Sequence, residues 1–129
     1  MADRIDLEAP LDGAFGAVIR LIVGGIAERV RFSFEDMDDL QLAIERLLAE
    51  AGAEGQVSLA FELADYRIRA YVGPLRAQRL AAALQDPDGP PGRLTLARVL
   101  ATVVSSFGVE AVADGEIVVR LEKLAGGRA

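Results

Sequence analysis

Ser33-Phe34-Glu35-Asp36-Met37-Asp38-Asp39-Leu40-Gln41-Leu42-Ala43-Ile44-Glu45-Arg46-Leu47-Leu48-Ala49-Glu50-Ala51 begins like a helix and keeps one face apolar. Ser33 has the chemistry of an N-cap, and Asp36 three residues on is a shorter version of the capping-box acid. Glu35, Asp36, Asp38 and Asp39 crowd the first turns, where the helix dipole favours negative charge. Met37, Leu40, Ile44, Leu47, Leu48 and Ala51 recur at helical spacing and predict a stripe facing a core. Gly52 and Gly55 supply the stop.

The neighbours of this helix extend the pattern. Arg4 to Glu8 alternates loosely and runs into Pro10, which suits an edge strand. Asp12 is placed to cap a helix with the stripe Phe15, Val18, Ile19, Ile22, Val23 and Ile26. Gly24-Gly25 inside it costs roughly 1 kcal/mol per glycine relative to alanine, so the pair is read as a place of close packing. After the central helix, Val57, Leu59, Phe61 and Leu63 alternate with Ser58, Ala60, Glu62 and Ala64. A tight turn near Asp65 returns the chain through Ile68, Ala70 and Val72, giving an antiparallel hairpin. Gly73-Pro74 is read as ending that hairpin and opening a third helix with Leu75, Leu80 and Leu84.

Gln85 to Gly92 is rich in helix breakers and reads as an irregular connection. A fourth helix is expected from about Leu94 to Phe107, followed by two strands around Asp114-Gly115, a type I′ hairpin signal. The order strand, helix, helix, hairpin, helix, loop, helix, hairpin predicts an α+β two-layer sandwich. Its sheet is expected to be mixed but mostly antiparallel, with the helices on one face. Residues 1–124 are read as one domain and 125–129 as a flexible tail, since neither side of the irregular segment could bury a core alone.

Composition removes several kinds of chemistry. The 129 residues contain no cysteine and no histidine, which excludes disulfides, thiol nucleophiles, imidazole bases and imidazole metal ligands. Any catalysis would rest on carboxylates, lysine, hydroxyls or bound Mg²⁺. A net charge of −6 argues against a nucleic-acid surface. Ala14 to Ala27 is the most apolar stretch, but Arg20 interrupts it and it is too short to span a bilayer. The expected location is the cytoplasm, with no membrane contact.

Three stretches carry a resemblance to a known family: Arg20 to Arg29, Glu35 to Ile44, and the closing pattern from Leu94 through Asp114-Gly115 to Leu121. In this order they resemble the GHKL (Bergerat-fold) ATP-binding domains, in particular the small bacterial anti-sigma-factor serine kinases. The resemblance implies a general-base Glu on the central helix and a Mg²⁺-holding Asn four residues later. Those positions carry Arg46 and Glu50 here. An arginine stays protonated and cannot serve as a base. Glu45 lies about 100° away around the helix. Glu50 has the hard oxygen chemistry of a Mg²⁺ ligand, although an (i, i+4) ion pair with Arg46 is the favoured reading.

The family's adenine-reading Asp-x-Gly-x-Gly corresponds to Tyr71-Val72-Gly73-Pro74-Leu75, which keeps only Gly73. Its phosphate-binding glycines correspond to Gly92-Arg93-Leu94, which keeps Gly92 and offers Arg93 as an anion partner. Gln85 to Gly92 falls where the family has its ATP lid, and equally reads as a surface connector. The resemblance therefore implies a vestigial pocket of Glu50, Gly73, Gly92 and Arg93, with no catalytic residue and no cofactor. Mg-ATP or Mg-ADP is implied only if the pocket still works, with Glu50 on the metal. The partners implied are proteins: a sigma factor, an anti-anti-sigma factor or an intact GHKL homologue, with homodimerisation as a further analogy. Three functions stand side by side: a degenerate regulator acting by binding, a kinase with a rearranged pocket, and a structural subunit of an intact homologue.

Overall fold

The computed structural model describes residues 3–76, 80, 84, 95–111 and 114–127. Strand β1 (Asp3–Pro10) leads to helices α1 (Phe15–Arg29) and α2 (Phe34–Ala51). Strands β2 (Gln56–Ala64) and β3 (Arg67–Arg76), helix α3 (Leu96–Val103) and strands β4 (Ser106–Ala111) and β5 (Glu116–Leu124) follow. A 3-10 turn at Ala125–Gly127 closes the described chain. The five strands lie in the order β1-β2-β3-β5-β4, and every described pairing is antiparallel. The α+β sandwich is as the sequence predicts, but the sheet is wholly antiparallel among the described residues.

Helix α2 forms for the reasons its sequence offers. The Ser33 hydroxyl accepts the Asp36 N–H at 3.0 Å, and the Asp36 carboxylate accepts the Ser33 N–H at 3.0 Å, a complete capping box. At the other end Gly52 is left-handed (φ 63°), and the Ala53 N–H reaches back to the Leu48 carbonyl. Leu40, Ala43, Ile44 and Leu47 are fully buried. They meet the sheet face built from Leu59, Phe61, Ile68, Ala70, Val72, Val119 and Leu121. Helix α2 is the middle helix of the layer, touching both α1 and α3.

Asp36 does more than cap. It is 4% exposed, and both its oxygens also accept the Gly126 N–H, at 3.0 and 3.2 Å. Ala125 and Gly126, where the tail is expected to begin, are thereby tied to α2 and, through the Ala125 N–H, to the Tyr66 carbonyl. Burial alone would raise the Asp36 carboxyl, but the Gly126 and Ser33 N–H groups, the Ser33 hydroxyl and nearby Lys123 hold it below the ordinary 3.8. A depressed carboxyl stabilises the fold above its unfolded pKa, and that stability is lost as the pH falls through the folded value. Asp36→Asn is therefore expected to cost about 1–2 kcal/mol at pH 7. Its urea midpoint should converge on that of the parent once the pH falls below the ordinary carboxylate range.

Several readings need correction. Gly73-Pro74 does not end β3. The strand runs on to Arg76 through a bulge, so Leu75 is a strand residue that returns to the core instead of starting a helix. Pairing with β2 stops at Val72, so Pro74 sits where β3 has a locally free edge and its missing N–H leaves no gap in the β2 ladder. Leu80 and Leu84 are helical and buried, as expected. Helix α3 ends at Val103, and Phe107 belongs to β4. The β-branched run Thr102-Val103-Val104 favours the extended conformation that begins at Val104.

Gly24-Gly25 is not a close-packing site. A Cβ on Gly24 would meet the Met37 sulfur at an ordinary 3.5 Å, and one on Gly25 would meet nothing within 4 Å. On α1, Val18 is exposed and Ile22 only half-buried, so the core stripe is narrower than the sequence predicts. Asp12 does prepare the helix, accepting the Ala14 N–H at 2.9 Å. The hairpin signals hold: Tyr66 is left-handed in the β2-β3 turn, and Asp114 and Gly115 are both left-handed between β4 and β5.

Candidate functional site

The chemistry expected of α2 centres on Arg46 and Glu50. Arg46 is exposed and Glu50 half-buried. Among the described residues no ion pair joins them, contrary to the expected (i, i+4) bridge. Holding the long, exposed Arg46 side chain against Glu50 costs more rotamer freedom than a solvated contact returns. Glu45, one residue from the base position, turns toward α1. Its Oε1 lies 2.8 Å from where a Cβ on Gly16 would sit, and Gln41 on the same seam donates to the Gly16 carbonyl at 3.2 Å.

Among the described residues Glu50 offers Mg²⁺ one hard oxygen donor, and the ion ordinarily takes one or two carboxylates and completes its set with phosphate and water oxygens. That ion takes near-octahedral sets of hard oxygens. No group of three or more acidic side chains comes together among the described residues, and Glu50 has the Arg46 guanidinium one turn away on its own helix. Gly92 and Arg93 lie outside the described residues, as does the Gln85 to Gly92 connection.

Gly73 lies at the β3 bulge with φ 138°, and a Cβ there would sit 2.8 Å from the Ile117 carbonyl oxygen. It contributes to a cleft of about 760 Å³ on the sheet face opposite the helices, together with Tyr71, Ser58, Ala60 and Val118. Glu50 does not line that cleft. The Tyr71 hydroxyl donates to Glu62 Oε1 at 2.7 Å, and the Arg4 guanidinium lies 5.6 Å above its ring. The Glu62 bond, with burial second, raises the Tyr71 phenol above its usual 10.0. A tyrosine so engaged is an uncharged donor at neutral pH.

Sequence reasoning missed one polar centre. Lys123 is 2% exposed on the core side of β5; its Nζ donates to Asp39 Oδ2 at 3.0 Å and to the Val103 carbonyl at 2.8 Å. It ties α2, the end of α3 and β5 together. The signal was present: Ile117, Val119, Leu121 and Lys123 share one face of β5, and a charge in an apolar alternation needs a buried partner.

No helix among the described residues is long and apolar enough to cross a membrane. No family model matches the chain. Over 94 residues it is 27% identical to a serine-protein kinase RsbW of Bacillus mycoides (strain KBAB4), covering 68% of this chain and 59% of that protein. It is 28% identical over 76 residues to the protein of the same name in Bacillus thuringiensis (strain Al Hakam), covering 54% of this chain and 48% of that one. With the Bacillus licheniformis protein it shares 28% over 78 residues, covering 55% and 49%. The chain thus spans about half to three fifths of the curated relatives it matches, and its similarity is to serine-protein kinases of this name.

Proposed function

We propose that this chain is a cytoplasmic regulator of the anti-sigma-factor type that acts by binding proteins and transfers no phosphoryl group. The single observation that carries the reading is Arg46. A permanently charged guanidinium stands where the resemblance to the GHKL kinases requires a proton acceptor, and the neighbouring Glu45 is turned to α1. The similarity to proteins named RsbW supports the regulatory class. Contacts with a sigma factor or an anti-anti-sigma factor need shape and charge, so they do not depend on a proton acceptor at position 46.

The test incubates the chain with γ-labelled ATP, Mg²⁺ and, in turn, each sigma factor and anti-anti-sigma factor of the source organism, followed by gel filtration and autoradiography. The expected result is a stable complex carrying no label. Label on the partner that depends on the chain would overturn the reading.

A further inference from the structure

The sheet ends at β1. All eight of its residues pair with β2, and its other edge has no strand partner among the described residues. On the helix side of that edge Ile5 and Leu7 remain only partly buried against the core. On the opposite side Arg4, Asp6 and Glu8 are exposed.

The pairing registers arrange the open face in rows across the strands. One row reads Arg4, Glu62, Arg69, Glu122, with signs alternating. Its charges meet at 3.6 Å between Arg4 and Glu62 and 3.1 Å between Arg69 and Glu122. The next row reads Asp6, Ala60, Tyr71, Arg120, Gly108. Beyond it Glu8 pairs with Ser58 and Glu110 with Val118, leaving an acid at each end and small or apolar side chains between. The 760 Å³ cleft lies over these last rows, with Asp6, Glu8 and Glu110 against Arg4 as its charged lining. Arg4 is already held by Asp6 at 3.3 Å and by Glu62, and Glu8 has no ion-pair partner among the described residues.

We propose that the free edge of β1 is a docking strand for an extended segment of a protein partner in which apolar and basic residues alternate. Added antiparallel or parallel, such a segment would satisfy the outward backbone groups of β1. Its apolar side chains cover Ile5 and Leu7, and its lysines or arginines lie beside Asp6 and Glu8 over the small floor of the cleft. A second copy of the chain is the poorer occupant. Setting Arg4 against Glu8 of another β1 sets Asp6 against Asp6, and each copy carries a net charge of −6. The inference deepens the protein-binding reading and rests on it.

The test titrates the ¹⁵N-labelled chain with a capped octapeptide alternating valine and lysine, and with its valine–glutamate counterpart. The lysine peptide is expected to shift and protect amides of β1 and to perturb Ser58 and Ala60, while the glutamate peptide does nothing. Asp6→Lys combined with Glu8→Lys, both at exposed positions, should weaken the lysine peptide by about tenfold and leave the melting temperature unchanged. Equal binding of both peptides, binding of neither, shifts confined to the helix layer, or sedimentation as a dimer through β1 would each overturn the inference. The readouts separate it from the proposed function: peptide binding at β1 survives even if label appears on a partner.

Discussion

Lys123→Ala is expected to destabilise the fold by about 3 kcal/mol, read as a fall of about 10 °C in the melting temperature. The ammonium is buried and supplies two bonds that nothing else can make. Its loss orphans the Val103 carbonyl at the end of α3 and leaves the Asp39 carboxylate without its cation. Asp39 is 40% exposed and can rehydrate, which places the cost at the lower end of what breaking a buried ion pair usually does. Lys123→Met should cost less, about 2 kcal/mol, because the methylene stem still packs while the two bonds are lost. Urea unfolding of the two variants beside the parent separates the stem from the charge. Equal stability of all three would mean that the Asp39–Lys123–Val103 contact contributes nothing.

Gly73→Ala is expected to cost about 3 kcal/mol. Two effects add. At φ 138° the backbone is in a region that side chains rarely tolerate, and the new Cβ would lie 2.8 Å from the backbone oxygen of Ile117. Backbone cannot swing aside as a side chain can, so the β3 bulge would have to open. Gly16→Ala provides the contrast. There the clash, also at 2.8 Å, is with the end of the flexible Glu45 side chain, and φ is ordinary, so the cost should be well under that at Gly73. Thermal unfolding of both variants checks the difference.

These two positions also mark what could and could not be read from the chain. Helix α2 was legible end to end because its cap, its apolar period and its glycine stop agree. The hairpins were legible through strict alternation and Asp114-Gly115. Gly73-Pro74 misled because proline ordinarily breaks a central strand. Only the register shows that β2 and β3 part beyond the Leu59–Val72 pair, so Pro74 interrupts no β2 ladder. Phe107 misled because Val103, Val104 and Phe107 fit a helical spacing, although the β-branched run before it favours extension. The expected Arg46–Glu50 bridge failed because spacing permits such a pair without making it favourable. Lys123 was overlooked because the closing pattern was read only as far as Leu121, whereas β5 runs on to Leu124 and its alternation carries Lys123 to the core side. Of the candidate pocket, Gly73 and Glu50 have definite places in the sheet and in α2, while Gly92 and Arg93 lie outside the described residues.

The proposed reading, a protein-binding regulator whose nucleotide pocket is vestigial, predicts that the folded chain gains nothing from nucleotide. A thermal unfolding scan of the purified chain with and without millimolar Mg²⁺-ATP and Mg²⁺-ADP is the most direct measurement. Ligand at 100 times its dissociation constant adds about 2.7 kcal/mol, which would raise the melting temperature by several degrees. The expected result is no shift with either nucleotide. A rise of several degrees that Glu50→Ala abolishes would contradict the reading and restore a metal–nucleotide site on α2.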